Sequence, residues 1–360
     1  VSLIISPWNY PFNLTVCPLI SSIAAGNATI LKPSESTPHT SALMREMVAE
    51  LFAEDEVALF EGEADVAQEL LAQPFDHVFF TGSPAIGKLV MRAASEHLTT
   101  VTLELGGKSP VLVDRTAHLD DAAQKTVWGK FLNQGQTCIA PDYILVDRSV
   151  HDDFVAALSR TIETYYGADA DARRSSPDLA RIVNERHHRR LVSLLEQSVE
   201  QGARIAFGGA HDAETRWVEP TLLVDVPLDS PAMQEEIFGP ILPVVPVDDL
   251  DGAIEVIRAR SKPLALYAFG NRRFTNAAIE RTSAGGTCVN DVALHFLHAN
   301  LPFGGVNHSG HGSCHGEWGF RAFSHERAVL KHHRWSALKF MAPPYSPNVQ
   351  RLVDWTVKFL

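Results

Sequence analysis

The sequence predicts an α/β fold of parallel sheets covered by helices on both faces, and two observations carry this reading. Short apolar runs alternate with amphipathic stretches from Val1 to Leu105, and a second alternating region follows to about Asn290, which is the pattern of strand, crossover helix and strand. At 360 residues and 45% hydrophobic content, the chain is long enough for about two domains with well-filled cores. Ligands bind such sheets at the carboxyl ends of the strands, so the segments just after each strand are where chemistry is sought.

Ser2-Leu3-Ile4-Ile5 reads as the first strand, followed by a helix-like segment from about Phe12 to Ala25. Ala28–Leu31 and Val57–Phe60 are the next strands, and Leu43, Met47 and Leu51, spaced i, i+4 and i+8, mark the helix between them. His77–Phe80 and Val101–Leu103 continue the alternation. After Gly107 a second domain opens with the strand Pro110–Val113, the long helical stretch Asp120–Leu132 and the strand Tyr143–Val146. Gly-rich turns dominate from Pro302 to Gly319. The tail from His325 is strand-like at Ala328–Leu330 and punctuated by Pro343, Pro344 and Pro347. Val349 to Leu360 places Leu352, Val353, Thr356 and Phe359 at helical spacing and is expected to pack on the protein. No internal repeat or low-complexity linker interrupts this order.

Composition excludes several function classes. A net charge of -12, without a basic run, repels phosphate backbones and anionic lipid, which argues against nucleic-acid binding. No apolar stretch has the length of a membrane span. Four widely spaced cysteines, Cys17, Cys138, Cys288 and Cys314, form neither a Cys-x-x-Cys pair nor a disulfide framework and fit a reducing cytoplasm. The sequons at Asn13, Asn27 and Asn307 are therefore read as accidental. Sixteen histidines invite a metal reading, but Gly310, Gly312 and Gly316 argue against a helix that would pair His311 with His315, so no metal is expected. Val1 opens directly on an apolar run with no initiator Met, as in a chain truncated upstream.

Cys138, in Gln134-Gly135-Gln136-Thr137-Cys138, falls between a helix and a strand, where a thiol can be presented to substrate. A cysteine nucleophile needs local activation and an oxyanion donor. Glu104, in Glu104-Leu105-Gly106-Gly107-Lys108, is a candidate base, and Asn9, in the Pro-flanked turn Pro7-Trp8-Asn9-Tyr10-Pro11, a candidate donor. A turn-forming Asn and an inert buried thiol are the plain alternatives. Cys17, Cys288 and Cys314 show no comparable constellation and are assigned to the inert class. Phe80-Thr81-Gly82-Ser83-Pro84-Ala85-Ile86-Gly87 ends a strand in a glycine turn that opens a helix, suiting either a pyrophosphate or a plain strand-to-helix turn. Lys32-Pro33-Ser34-Glu35 follows another strand and offers a ribose one donor and one acceptor, or is a solvated turn. In Glu235-Glu236-Ile237-Phe238-Gly239-Pro240 one carboxylate suits a ribose and Phe238 a flat ring. Adjacent extended residues face opposite ways, so the two acids do not form a glycosidase pair.

Together these motifs resemble the aldehyde dehydrogenase superfamily, and Cys138-Ile139-Ala140-Pro141-Asp142-Tyr143 with Leu301-Pro302-Phe303-Gly304-Gly305 is similar to its class 3 branch. The likeness runs from Pro7 to about Leu330. It implies a Rossmann-like NAD(P)-binding domain over residues 1–106, with an upstream part missing, a catalytic domain over 107–309, and a return to the cofactor domain plus a bridging tail over 310–360. It implies Cys138 as nucleophile, Glu104 as general base, and Asn9 with the Cys138 amide as oxyanion hole. Lys32 and Glu35 would bind the adenosine ribose, Gly82, Ser83 and Gly87 would border the pyrophosphate, and Glu236 and Phe238 would position the nicotinamide riboside. The cofactor would be NAD or NADP, the partner an aldehyde, and the assembly a homodimer.

The resemblance further implies aliphatic or aromatic aldehydes as substrates. Ile182-Val183-Asn184-Glu185-Arg186-His187 and Pro343-Pro344-Tyr345 are similar to bacterial coniferyl aldehyde dehydrogenases. Asn307 stands where this branch usually has Gly, Cys314 near a usual Tyr, and His311 at a position often Met, which bears on the local turn and the substrate entrance. A CoA-acylating dehydrogenase and a non-catalytic binding or structural relative are the alternatives. The identity of the product, acid or acyl-CoA, separates the first of them.

Overall fold

The computed structural model describes residues 1–334, 336, 338 and 342–359. They form two compact units, Val1–Ser324 and His325–Leu360. The first unit holds two large sheets. One is built from β1 (Ser2–Ile5), β2 (Thr29–Lys32), β3 (Val57–Leu59), β4 (His77–Gly82) and β5 (Thr100–Leu105), separated by helices α1 (Pro11–Ala24), α2 (Pro38–Leu51), α3 (Ala64–Leu71) and α4 (Pro84–Ser95). These five strands are parallel in the order β5-β4-β1-β2-β3. The second sheet contains β6 (Pro110–Val113), β7 (Tyr143–Asp147), β8 (Arg204–Phe207), β11 (Thr221–Val224), β12 (Ile241–Val247), β13 (Ala265–Phe269) and β14 (Gly286–Val289), in the order β14-β13-β6-β7-β12-β11-β8. All its pairings are parallel except β8 with β11. A short ribbon, β9 (His211–Asp212) and β10 (Trp217–Val218), pairs separately.

The interior strands are mostly buried, as a sheet covered on both faces requires. β1, β6 and the first four residues of β7 have every side chain buried. Against the second sheet lie α5 (Leu119–Phe131) and α6 (His151–Tyr166), which pack together through Val127, Phe131, Phe154 and Leu158, all fully buried. Short β15 (Gly310–His311) returns to the first sheet and pairs antiparallel with β5, placing Gly310 opposite Glu104.

Three expectations differ from the structure. The helix between β2 and β3 exists, but Ser41, Met44 and Val48 form its buried face, while Leu43 is 54% and Leu51 66% exposed. Periodicity located this helix without orienting it, because apolar residues stand on more than one of its faces. Ala328–Leu330 is not a strand; these residues are irregular and exposed, and alternation alone does not provide the neighbouring edge that a strand needs. The Gly-rich stretch gives way at Gly316 to helix α12 (Gly316–Ala322). The last helix, Pro347–Phe359, matches its expected position, with Leu360 outside the described residues. Its side chains Trp355, Val357 and Phe359 are exposed.

The reoriented α2 gives a direct test by urea unfolding. Met44→Ala is expected to cost about 2–5 kcal/mol, and Leu43→Ala to stay within about 0.5 kcal/mol of the parent. The opposite order would restore the periodic stripe as the buried face.

Candidate active site

Several functional segments leave the first sheet at one edge. β1 runs into Trp8-Asn9-Tyr10, β2 ends at Lys32 with Glu35 just beyond, β4 ends at Gly82 before Ser83, and Glu104 is the penultimate residue of β5. Because β5, β4, β1 and β2 are parallel neighbours, these segments emerge on the same side.

The nucleophile loop begins where α5 stops at Phe131. Asn133, Gln134 and Gly135 have φ of 49°, 57° and 71°, three successive left-handed residues that reverse the chain sharply. For non-glycine residues this backbone costs on the order of 1–3 kcal/mol each and persists only where neighbours enforce it. A Cβ on Gly135 would lie 2.3 Å from the Gly239 carbonyl oxygen, so only glycine permits the approach of these two backbones. Gln136 anchors the turn: its Nε2 donates to the carbonyls of Asn133 and Arg181, each at 3.1 Å, and its Oε1 accepts from the Val183 amide at 2.9 Å. Asn9 Nδ2 donates to the Gln136 carbonyl at 3.0 Å, while Asn133 Nδ2 donates to the Asn9 carbonyl at 3.0 Å. Beyond the cysteine, Tyr267 donates its hydroxyl to the Ile139 carbonyl at 2.5 Å. Asn9 and Cys138, far apart in sequence, are therefore joined through a single carbonyl two residues before the thiol.

Cys138 is partly buried, and burial pushes its thiol up to about 12, helped by the negative charges of Glu236 and Glu104 and opposed by the amides of Cys138 and Ile139. Those amides are aimed to stabilise negative charge at the sulfur. Glu104 is 5% exposed, and neither carboxylate oxygen has a nitrogen or oxygen partner among the described residues. Burial raises its carboxyl to about 8, and the neighbouring Cys314 thiol offsets this only in part. Cys314 is set there by a backbone bridge: the Phe303 amide donates to the Cys314 carbonyl at 3.1 Å, and the Cys314 amide to the Phe303 carbonyl at 2.6 Å. Cys314 and Cys288 are buried, free thiols that burial raises, whereas Cys17, assigned with them to the inert class, is exposed. Cys314 contacts a carboxylate, and Cys288 Sγ lies 3.1 Å from His295 Nδ1. The Cys314 contact joins segments far apart in sequence, whereas Cys288 and His295 are seven residues apart across the turn that follows β14.

The other acid, Glu236, is raised to about 7, chiefly by burial and then by Asp142, while the Gly107 amide draws it down. Its carboxylate lies against Gly106, where a Cβ would come within 2.3 Å of Oε1. The adjacent Phe238 has a left-handed backbone, φ 47°, and its ring meets Trp8 edge-on with centroids 5.4 Å apart.

The cofactor-side residues fit a dinucleotide. Lys32 is buried, with Nζ 3.0 Å from the Pro33 carbonyl and 3.5 Å from Glu35 Oε2, so donor and acceptor stand side by side, as adjacent ribose hydroxyls require. Ser83 caps α4 by accepting from the Ile86 amide at 3.5 Å, behind the turn at Gly82. Gly87 lies inside α4 against Leu105, where a Cβ would sit 2.9 Å from the leucine side chain; its smallness lets the helix approach the sheet. Asn307 holds φ 58° and accepts from Lys262 Nζ at 2.9 Å, so asparagine sustains the left-handed turn usually made by glycine there.

Two apolar cavities meet at Cys138. The larger, about 440 Å³, is lined by Glu104, Cys138, Cys314 and Cys17 among apolar groups that include Phe79 and Phe320. The smaller, about 230 Å³, is lined by Tyr10, Trp128, Leu132 and Thr137, with the Tyr10 hydroxyl 2.8 Å from Thr137 Oγ1. Asn13, Leu14, Phe296 and Leu297 border both. Sequence reading did not single out these lining residues. Asn13 and Leu14 follow Asn9 by one turn of α1, and that spacing was the only local signal.

Comparison with known proteins agrees with this architecture. The model of the "Aldehyde dehydrogenase family" matches residues 1–329. "Aldehyde dehydrogenase family 3 member A2" of Pongo abelii is 48% identical over 363 aligned residues, covering 100% of this chain and 73% of that protein. "4,4'-diaponeurosporen-aldehyde dehydrogenase" of Staphylococcus aureus is 49% identical over 329 residues, 91% of this chain and 70% of that protein. The solved substrate-bound state of Staphylococcus aureus AldH superposes with a TM-score of 0.93 at 45% identity, covering 99% of this chain and 77% of that one. An aldehyde dehydrogenase of Mycobacterium tuberculosis complexed with NAD+ gives 0.84 at 29% identity, covering 93% and 70%. With a part-buried thiol and a buried acid facing one apolar cavity, and with relatives matching along its length, this chain belongs to the aldehyde dehydrogenase family and so to the NAD(P)-dependent oxidoreductases.

Proposed function

We propose that the chain oxidises apolar aldehydes to carboxylic acids through a thioester on Cys138, hydrolysed by water that Glu104 activates. The observation that carries this reading is that Cys138 and Glu104 face the same apolar cavity while no nitrogen or oxygen partner occupies the carboxylate. Cys138 Sγ adds to the carbonyl carbon, and negative charge develops on the substrate oxygen. The Asn9 side chain, with one N–H committed to the Gln136 carbonyl, keeps its second N–H for that oxygen. Glu236 and Phe238 would hold the nicotinamide riboside, which when bound would supply the hydride acceptor, leaving the thioester on Cys138. Glu104 in its ionised form then takes a proton from the water that attacks the thioester. Retention of this carboxylate at the cavity supports acid over acyl-CoA as product.

Apolar walls on both sides of Cys138 favour medium or long aliphatic and aromatic aldehydes, coniferyl aldehyde among them. Glu35 disfavours a 2′-phosphate and so favours NAD over NADP. Among the described residues no helix is long and apolar enough to cross a membrane, and we place the protein in the cytoplasm as a homodimer.

Cys138→Ala is expected to abolish NADH formation measured at 340 nm, and turnover in that variant would overturn the mechanism. Glu104→Gln should retain the first turnover but slow deacylation on the order of 10²–10⁴-fold, read as a burst followed by slow release of acid. Because the neutral carboxyl cannot accept a proton, deacylation should rise with pH through about 8. In Cys314→Ala the loss of the thiol hydrogen bond should move that midpoint to higher pH, since the bond favours the ionised form. Across aldehydes of increasing chain length, kcat/KM with NAD should rise, at about 0.8 kcal/mol per buried methylene, until the cavities are filled. A flat series would exclude the cavities as the substrate site.

A further inference from the structure

We infer that Arg190 and Asp142 are positioning residues that hold Phe238 and Glu236 in their working conformation, so that dinucleotide affinity depends on a polar anchor beneath the cofactor site. The inference rests on the reading of Glu236 and Phe238 as the nicotinamide contacts. Phe238 has a φ of 47°, a left-handed backbone that a bulky side chain adopts only when its surroundings enforce it. Enforcement comes through the residues just before it. Arg190 Nη1 donates to the Glu236 carbonyl at 3.3 Å and Nη2 to the Ile237 carbonyl at 2.5 Å. Asp142 Oδ1 accepts from the Ile237 amide at 2.9 Å. Lys108 Nζ, itself paired with Asp142, donates to the carbonyls of Glu235 at 2.8 Å and Ala232 at 2.9 Å.

Every peptide unit on the approach to Phe238 is thus engaged by a charged side chain, and the charges come from separate parts of the fold. Lys108 precedes β6, Asp142 precedes β7, and Arg190 lies on the helix Glu185–Glu200. That helix turns one face to the segment. Arg190 and Leu191 stand three and four residues after His187, so the three share the face. His187 packs on Trp8 with centroids 5.1 Å apart, and Trp8 packs on Phe238. Leu191 limits the following residue to glycine, because a Cβ on Gly239 would fall 2.3 Å from its side chain. Two carbonyls bound by one planar guanidinium fork fix the orientation of successive peptide planes, which a single ammonium donor does not.

The test uses the full chain, with NAD affinity measured by calorimetry and steady-state constants measured with hexanal. Arg190→Met is expected to raise both the Kd and the KM for NAD on the order of tenfold, the loss typical of charge-assisted hydrogen bonds, while the KM for hexanal changes little. Arg190→Lys should recover only part of the NAD affinity. Asp142→Asn, which keeps an acceptor for the Ile237 amide but removes the charge facing Lys108, should give a smaller rise of the same kind. Unchanged NAD affinity in Arg190→Met, while Phe238→Ala or Glu236→Gln weakens it, would overturn the anchor and leave the cofactor site standing. If Phe238→Ala and Glu236→Gln also bind NAD normally, the cofactor-site reading falls and the anchor with it. Should Arg190→Met not fold, Arg190→Lys carries the same comparison, and parent-like NAD binding in it overturns the fork argument.

Discussion

The site depends on the close approach of two backbones, Gly135 on the loop before Cys138 and Gly239 after the Glu236–Phe238 segment. No side chain fits between them at Gly135, and Leu191 excludes one at Gly239. Backbone contact fixes distance in a way that side-chain contact does not, because there are no rotamers to adjust. The thiol at Cys138 and the acid and ring assigned to the nicotinamide are consequently set by one rigid junction. The left-handed residues on both sides of it, Asn133, Gln134 and Phe238, are the local energetic cost of that junction, and hydrogen bonds donated by Gln136, Arg190 and Lys108 and accepted by Asp142 offset it.

Around this junction lies an environment of low polarity. Glu104, Glu236 and Cys138 are all shifted toward their neutral forms, with burial the largest cause for each. Each also opposes ionisation of the thiol or feels another acid, so only a limited negative charge is tolerated at once. On the proposed mechanism, the Cys138 thiol and Glu104 would ionise in sequence, for acylation and then for hydrolysis. The amides of Cys138 and Ile139 provide the counterbalance at the sulfur, and Cys314 provides it at Glu104.

The departures in the Gly-rich return segment also find physical accounts. Asn307 keeps the left-handed turn because asparagine tolerates that backbone, and its side chain gains a lysine partner. Cys314 places a thiol beside Glu104 and leaves the surrounding cavity apolar. The change therefore falls on the base and the cavity wall, while the nucleophile loop and its anchors are untouched.

The sequence by itself determined the elements and the chemical inventory: strand, helix and turn order follow local periodicity and glycine placement, and Cys138, Glu104, Asn9, Lys32, Glu35, Glu236 and Phe238 stand in recognisable segments. What it left open was everything set by distance in space. The buried face of α2 was decided by packing, because apolar residues lie on several of its sides. Ala328–Leu330 lacked a strand partner that alternation does not reveal. Glu104 meets Cys314, and Arg190 reaches the carbonyls before Phe238, across separations over which hydrophobic pattern carries no information. Local propensity acts over a few residues, whereas the cavities, the pKa shifts and the anchor of the strained segment arise from chain crossings that only the assembled sheets bring together.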